Sequence, residues 1–213
     1  MKQAVRKVTT PPKESDGTAT TRPYDSAQSL ADILDVATTE FAEKGLSGAR
    51  VDKIASLTRT SKRMIYYHFG SKEALYLAVL ERAFKAQAES EAAVLVDDLA
   101  PIEALKTLVG FSFDFHQENA PFVRLIVNEN ERRGEVFARS DLIQRLNLSV
   151  SDRLRGIYET GVTAGVFRAG INPVDLRMSI AALCFYPVSN RHTFTLLFNH
   201  DMHSPAAVSE RRA

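Results

Sequence analysis

Basic and aromatic side chains cluster between residues 44 and 72. Seven Lys and Arg residues fall in this stretch against a single acidic residue, Asp52, so its formal charge is +6 although the whole chain carries +1. The seven are Lys44, Arg50, Lys53, Arg59, Lys62, Arg63 and Lys72. Tyr66 and Tyr67 follow Lys62 and Arg63 by one helical turn, and a phenol can pack along a groove wall while its hydroxyl donates to a phosphate. Because cations neutralise the phosphate backbone, the pattern predicts contact with nucleic acid.

The near-neutral total charge hides an asymmetry along the chain. Residues 1–72 hold 12 Lys+Arg against 8 Asp+Glu, whereas residues 73–213 hold 15 against 18. A basic segment is therefore followed by a mildly acidic one. Such a charge distribution suits a protein in which only the first part approaches a polyanion.

Three helices are needed to present the basic cluster, and local signals predict where they lie. Apolar residues at helical spacing predict a first helix from Ser26 that stops at Gly45, a second over residues 51–57, and a third that is capped by Thr60 or Ser61 and ends at Gly70. Their inward positions are Leu30, Ile33, Leu34, Ala37, Phe41, Ala42, Val51, Ile54, Ala55, Ile65 and Phe69. Two short helices joined by a tight turn, the second rich in polar and basic residues, are typical of a helix-turn-helix.

The residues of this segment resemble a known family. The run Val51-Asp-Lys-Ile-Ala and the run Ser61-Lys-Arg-Met-Ile-Tyr-Tyr-His-Phe-Gly-Ser-Lys-Glu-Ala-Leu-Tyr76 are similar to the DNA-binding segment of TetR-family transcriptional regulators. The resemblance covers about residues 26–80. It implies a homodimer of all-α subunits, usually a repressor that binds a palindromic operator in double-stranded DNA and releases it when a small-molecule effector enters the C-terminal domain.

The resemblance also implies roles for individual side chains. Tyr66 and Lys72 match phosphate contacts of the family, and Lys62, Arg63 and Tyr67 match base or groove contacts. Arg50 and Thr60 match flanking backbone contacts, whereas His68 is either a phosphate contact or a structural residue between the third and fourth helices. The expected DNA-binding residues are Arg50, Thr60, Ser61, Lys62, Arg63, Tyr66, Tyr67, His68 and Lys72.

The turn departs from the family pattern. Many members have Ala-Gly-Val where this chain has Thr58-Arg59-Thr60. We expect Arg59 to take the left-handed conformation that a glycine would relieve, at a cost of about 1 kcal/mol. The departure makes Arg59 a further candidate phosphate contact.

The rest of the chain also reads as helices, without strand-like alternation or an internal repeat. Further helices are expected from Ser71 to about Leu95, over 102–118, 121–130 and 141–167, from 173 to about 199 with a kink or break at Pro187, and from 205 onward. The predicted fold is all-α, with an N-terminal three-helix helix-turn-helix domain joined to a C-terminal helical bundle, about nine helices in total. The predicted domains are a flexible arm (1–25), a DNA-binding domain (26–70) and a ligand-binding and dimerisation domain (71–213).

An effector pocket in the bundle would combine apolar walls with a few polar groups. Aromatic candidates are Phe111, Phe115, Phe122, Tyr158, Phe167 and Tyr186, joined by Cys184, and polar candidates are His116, Arg124 and Asn128. Aromatic residues at helical spacing are, however, more often part of a packed core than of a pocket. The dimer surface is expected on residues 173–199 and on the segment after Pro205. The run Arg191-His192-Thr193-Phe194-Thr195 is similar to one TetR subgroup.

Other classes of protein are less consistent with the sequence. His116 lies near Asp114, and Cys184 precedes His192, but no nucleophile is bracketed by a base and an orienting group, and no glycine-rich phosphate loop is present. We therefore expect neither an enzyme nor a cofactor. The run His200-Asp201-Met202-His203 has metal-ligand types, but two histidines on a predicted surface loop do not make a zinc site.

Further expectations concern the location of the protein and its mode of regulation. No stretch approaches the roughly 18 apolar residues of a membrane span, and Met1 leads into a polar segment, so we expect no membrane association. A single cysteine favours a reducing compartment, the cytoplasm. An activator, or a DNA-binding regulator that responds to no ligand, remains an alternative with the same fold.

Overall fold

The computed structural model describes residues 26–212, and this part of the chain is built from ten α-helices and one 3₁₀ turn. The helices are α1 (Ser26–Gly48), α2 (Val51–Leu57), α3 (Lys62–Phe69), α4 (Lys72–Ala92), α5 (Pro101–Glu118), α6 (Ala120–Glu131), α7 (Asp141–Thr163), α8 (Pro173–Ser189), α9 (Arg191–Phe198) and α10 (Pro205–Arg212), and the 3₁₀ turn is Phe137–Arg139. The described residues contain no strand, so the all-α prediction is confirmed. The arm predicted for residues 1–25 lies outside them.

The first three helices follow their local signals closely. Helix α1 is interrupted at Gly45, which has φ 63°, and one further turn carries it to Gly48. Helix α2 buries Val51 and Ile54 as predicted, and the side chain of Ser61, not Thr60, caps α3. Gly70 ends α3 with φ 79°. Positive φ at these two glycines is the reason the chain can turn sharply there.

One hydrophobic core joins the helix-turn-helix to the rest of the molecule. Its buried members come from α1 to α4, from α6 and from the start of α7: Ile33, Ala37, Phe41, Ala42, Leu46, Ala49, Val51, Ile54, Ala55, Ile65, Leu75, Tyr76, Val79, Leu80, Phe84, Phe122, Leu125, Val136 and Ile143. Helix α1 packs against both α4 and α6. The orientation of the first three helices therefore depends on residues far along the chain.

The second half of the chain packs around α5. Helices α7 and α8 flank it, and Phe113, Leu154, Ile180 and Cys184 form a second buried cluster. Helix α5 is largely enclosed, although Ile102 in its first turn is exposed. None of the described helices is both long and apolar enough to cross a lipid bilayer.

The predicted end of α7 was wrong, whereas the predicted break near Pro187 is confirmed. Helix α7 stops at Thr163 instead of Phe167, because Gly165 takes φ 73° and the chain folds back. The ring of Phe167 then lies on Gly161, where a Cβ would overlap it. The helix predicted from 173 to about 199 is divided into α8 and α9, which agrees with the expected break, since α8 ends at Ser189 shortly after Pro187.

Candidate nucleic-acid interface and effector cavity

The turn between α2 and α3 is a helix C-cap built on an arginine. Arg59 has φ 54°, which confirms the expected left-handed conformation, and the N–H of Thr60 donates to the carbonyl of Ala55 at 3.2 Å. This is the hydrogen bond of a Schellman motif, which normally has glycine at the left-handed position. The motif ends α2 abruptly and sets the angle at which α3 begins.

Helix α3 separates its residues into an inner and an outer face. Ser61 Oγ accepts a hydrogen bond from the N–H of Met64 at 3.1 Å and so fixes the first turn. Ile65 is fully buried, while Tyr67 has 78% of its surface exposed. Lys62, Arg63, Tyr66 and Tyr67 are all exposed. The outer face is therefore the one that carries the basic and phenolic groups.

Two of the predicted DNA-binding lysines already have partners within the chain. Lys62 Nζ lies 3.1 Å from Oδ1 of Asp52 on α2. Lys72 Nζ, in the first turn of α4, donates to the carbonyl of Ser47 at 3.2 Å and so ties α4 to the end of α1. A cation in the first turn of a helix opposes the helix dipole, and this carbonyl offsets part of that cost. Lys62 is exposed and Lys72 is half-buried, so a phosphate contact would require each to exchange its present partner.

A buried carboxylate holds α2 against α1. Glu40 is buried and accepts from Lys53 Nζ at 2.9 Å and from the N–H of Arg50 at 3.1 Å. Burial raises the pKa of Glu40, but the hydrogen bonds from Lys53 and Arg50 outweigh it and lower the pKa overall. The same hydrogen bond between Lys53 and Glu40 raises the pKa of Lys53, so the interaction favours the charged form of both groups. Lys53 thus serves to position α2, although the sequence grouped it with the basic cluster.

Three arginines of the cluster carry uncompensated charge. Among residues 26–212, Arg50, Arg59 and Arg63 take part in no ion pair, and all three are exposed.

His68 is half-buried with its ring edge-on to Tyr67, at 5.2 Å between centroids. Thr60 and Ser61 lie in the turn itself. Most of the predicted DNA-binding residues are thus gathered on α3 and the turn before it, with Arg50 at the start of α2 and Lys72 at the start of α4. Their contact with DNA stays a prediction.

A cavity of about 400 Å³ lies among α4, α5, α6, α7 and α8. Its lining combines aromatic and aliphatic residues with amide, imidazole and guanidinium groups: Phe84, Gln87, Ser112, His116, Phe122, Ile126, Asn130, Asn147, Arg177, Met178, Ala181, Ala182 and Phe185. We refer to it as the central cavity. Of the predicted pocket residues it includes His116 and Phe122.

The other predicted pocket residues lie elsewhere. Arg124 and Asn128 line a smaller cavity of about 100 Å³ beside α1, and Cys184 lines a cavity of about 610 Å³ near α10. Tyr158 stacks on Phe167 at the end of α7, with 6.4 Å between ring centroids. Tyr186 is exposed on α8, and Phe111 and Phe115 contact each other on α5. The ten predicted pocket residues therefore do not line one cavity, because neighbouring positions of a helix point to different sides of it.

The polar groups behind the central cavity form a connected network. Glu91 is buried on α4 and accepts from Gln87 Nε2 at 2.9 Å. Arg177 of α8 donates to both oxygens of Glu91, each at 3.2 Å. The backbone carbonyl of Glu91 also accepts from Arg153. These residues were not identified from the sequence. Gln87 and Glu91 continue the buried stripe of Leu80 and Phe84, and polar residues at such inward positions are a signal that could have identified them, because buried polar groups need partners.

The run from His200 to His203 is partly enclosed, contrary to the surface loop expected there. Met202 is fully buried, and the ring Nε2 of His203 donates to the carbonyl of Pro187 at 3.2 Å. Over the described ranges, no group of three His, Cys, Asp or Glu side chains is arranged to hold a metal ion.

Comparison with known proteins covers both halves of the chain. Residues 33–79 match the family model described as bacterial regulatory proteins, tetR family, and residues 101–213 match the tetracyclin repressor-like C-terminal domain. The HTH-type transcriptional repressor NicS of Pseudomonas putida is 34% identical over 178 residues, which span 84% of each chain.

Solved structures give the same result for the fold. A transcriptional regulator of Streptomyces coelicolor, SCO4942, superposes with a TM-score of 0.65 at 28% identity, covering 86% of this chain and 92% of its own. FadR of Bacillus subtilis, solved in complex with stearoyl-CoA, has a TM-score of 0.63 at 20% identity, covering 85% and 95%. The helix-turn-helix geometry, the two family matches and the similarity to NicS agree, and the chain belongs to the TetR family of bacterial DNA-binding transcriptional regulators.

Proposed function

We propose that this protein is a homodimeric repressor that acts in the cytoplasm. Two copies of α3 read adjacent major grooves of a palindromic operator, and a small molecule in the central cavity releases the DNA. Residues 26–70 serve DNA binding, and residues 71–213 serve effector binding and dimerisation. The similarity to NicS, a repressor, supports repression over activation.

Helix α6 carries this proposal, because it contacts both the central cavity and the DNA-binding domain. Phe122, Ile126 and Asn130 line the cavity. Asn128 points the other way, and its Nδ2 donates to the carbonyl of Phe41 on α1 at 3.0 Å. That carbonyl lies four residues before the bend at Gly45, where the regular helical hydrogen bonds of α1 are interrupted. A ligand that displaces α6 therefore also displaces the end of α1 and the helices that follow it.

A larger cavity than the central cavity lies elsewhere in the described part of the chain. The cavity of about 610 Å³ is bounded by α10 and by Leu183, which is exposed. It has no wall from α1, α4 or α6, so its occupant would contact neither the DNA-binding domain nor the helix that holds it. The central cavity is smaller, but three of its walls belong to helices that also form the core around α1.

Exposed apolar residues on α8 and α9 support dimerisation. They are Val174, Met178, Leu183, Tyr186, Leu196, Leu197 and Phe198. So many exposed apolar residues on two consecutive helices are uncommon on a monomer and favour an interaction site. A second copy is the natural occupant, because a twofold axis through this surface would pair two α3 helices with the symmetry of a palindrome.

We expect Asn128→Ala to weaken operator binding severalfold without contacting DNA. The substitution leaves the carbonyl of Phe41 without its donor, which costs about 1 kcal/mol of unfolding free energy and loosens the end of α1. Fluorescence anisotropy with labelled operator and thermal unfolding measure the two effects. Asn119→Ala is the matched control, since Asn119 Nδ2 donates to the carbonyl of Phe115, remote from α1. An equal loss of operator affinity in both variants would show that Asn128 has no special role.

Selection of bound DNA from a random pool tests the proposed function directly. We expect enrichment of a palindrome whose half-sites are about 34–36 Å apart, or a multiple of that distance, because two α3 helices of a dimer must enter the same face of the duplex. A reporter placed behind the selected site should be less active when the protein is present. Failure to enrich any sequence would overturn the DNA-binding proposal, and increased reporter activity would make the protein an activator.

A further inference from the structure

We propose that the central cavity selects a compact, neutral aromatic molecule that carries a phenol O–H or a ring N–H and donates it to Nε2 of His116. This inference rests on the proposed function, since it names the class of effector for the same cavity. It is carried by the hydrogen bonding of one buried histidine, by the rings around it and by the charges that face it.

His116 is held in a single tautomer. Its Nδ1 lies 2.6 Å from the carbonyl oxygen of Ser112, one turn earlier on α5. A carbonyl can only accept, so Nδ1 carries the proton. Burial lowers the pKa of His116, which keeps the ring neutral, and Nε2 is then unprotonated. The free ring nitrogen is therefore a hydrogen-bond acceptor.

This acceptor has no partner in the described part of the chain. His116 retains only 9% of its surface exposed, and it lines the central cavity. Within residues 26–212, its hydrogen bonding is limited to the contact between Nδ1 and Ser112. A ligand that fills the cavity removes Nε2 from water, and this costs free energy unless the ligand itself brings a donor. A ligand without a donor leaves that cost in place.

Aromatic rings surround His116. Phe122 and Phe185 approach its ring at 6.1 and 6.0 Å between centroids, both inclined steeply to it. Phe84 meets Phe122 edge-on at 5.2 Å. Rings prefer edge-to-face or offset arrangements at about 4.5–7 Å, so a planar aromatic ligand extends this cluster favourably. A long aliphatic chain is less suited, because Gln87, Asn130 and Asn147 interrupt the apolar lining.

The charges at the cavity favour a neutral ligand. Arg177 is the cationic group of the lining, and its charge is already compensated by two hydrogen bonds to Glu91. An anionic ligand would compete with Glu91 for Arg177 and leave a buried carboxylate short of donors. A cationic ligand would lack an anionic partner in the lining, because Glu91 is already engaged by Arg177. A phenol or an indole-type N–H avoids both costs.

Matched probe pairs test the inference. The pairs are 4-hydroxyacetophenone with 4-methoxyacetophenone and indole with 1-methylindole, whose members differ by the methyl group that removes the only donor. We expect isothermal titration calorimetry of the full chain to give at least about tenfold tighter binding for the donor-bearing member of a pair. His116→Phe should reduce that ratio to about one. His200→Phe should preserve the ratio, because His200 lies outside the cavity lining.

A second measurement needs no substitution. With ¹⁵N-labelled histidine in the unchanged protein, the Nε2 resonance of His116 should shift on addition of the bound probe while Nδ1 stays protonated. Equal affinity within both pairs, absence of binding by every probe, or a donor preference that survives in His116→Phe would overturn the inference.

The result also separates this inference from the proposed function. Operator release by methylated or aliphatic compounds, without any donor preference, would overturn the ligand class and leave the effector mechanism intact. Donor-selective binding at His116 that leaves operator affinity unchanged would support the ligand class and overturn release by an effector.

Discussion

Replacing Leu183 and Leu197 together by glutamate should convert the protein to a monomer and weaken binding to a palindromic operator by about 100-fold or more. Leu183 on α8 and Leu197 on α9 expose 75% and 77% of their surfaces. Burying such a leucine against a partner contributes about 1.5–3 kcal/mol, whereas a buried carboxylate without a partner is strongly unfavourable. Loss of the dimer also removes the second half-site contact, which is worth a factor of about 10²–10⁴ in avidity.

Analytical ultracentrifugation and operator titration measure these two consequences. Leu95→Glu is the matched control, because Leu95 exposes 88% of its surface but follows α4, away from α8 and α9. We expect the control to stay dimeric and to bind DNA normally. If the double variant remains a dimer with unchanged operator affinity, the interface does not include this surface.

Substitutions at Arg63 and Lys72 should weaken DNA binding in two distinguishable ways. Arg63, exposed and without an ion pair on the outer face of α3, is placed to reach base edges, so Arg63→Ala should cost about 1–3 kcal/mol and relax selectivity at particular base pairs. Lys72 is placed for a phosphate. Lys72→Ala and Tyr66→Phe should therefore weaken binding to every sequence, and Lys72→Ala should reduce the salt dependence by about one unit.

The measurement is operator affinity as a function of salt for the selected site and for single-base variants of it. Lys85→Ala controls for the loss of one positive charge, since Lys85 is exposed on α4 and pairs with Glu89. An unchanged salt slope in Lys72→Ala would remove Lys72 from the phosphate contacts. Equal losses for Arg63→Ala on all base variants would instead place Arg63 at the backbone.

The DNA-binding helices were predictable because their boundaries depend on neighbours in the sequence. Ser61 caps α3 through an N–H three residues away, and Gly70 ends the same helix through its own backbone conformation. Arg59 takes the left-handed conformation that the position after α2 requires, whatever side chain occupies it. Such short-range signals are complete within a few residues. The partners of Lys62 and Lys72, by contrast, lie 10 and 25 residues away.

The residues of the proposed effector site were predictable only in part. His116 and Phe122 belong to the central cavity, but Tyr158 and Phe167 form a closed pair at the end of α7. Helical periodicity indicates which residues face inward, but it does not indicate which of several inward spaces they face. That choice depends on how five helices cross, and on glycines such as Gly161 that let a ring approach the backbone.

Charge and local capping are properties of consecutive residues, so the display of a +6 segment on a helix-turn-helix follows from the sequence alone. The tertiary structure sets α6 between the central cavity, which Ile126 lines, and the end of α1, which Asn128 contacts. It also decided that one nitrogen of His116 is satisfied and the other is free. These relations depend on packing between segments that lie far apart in the chain. Hydrophobic burial drives that packing, but it is non-directional, so the apolar pattern of one segment does not specify which distant segment it contacts.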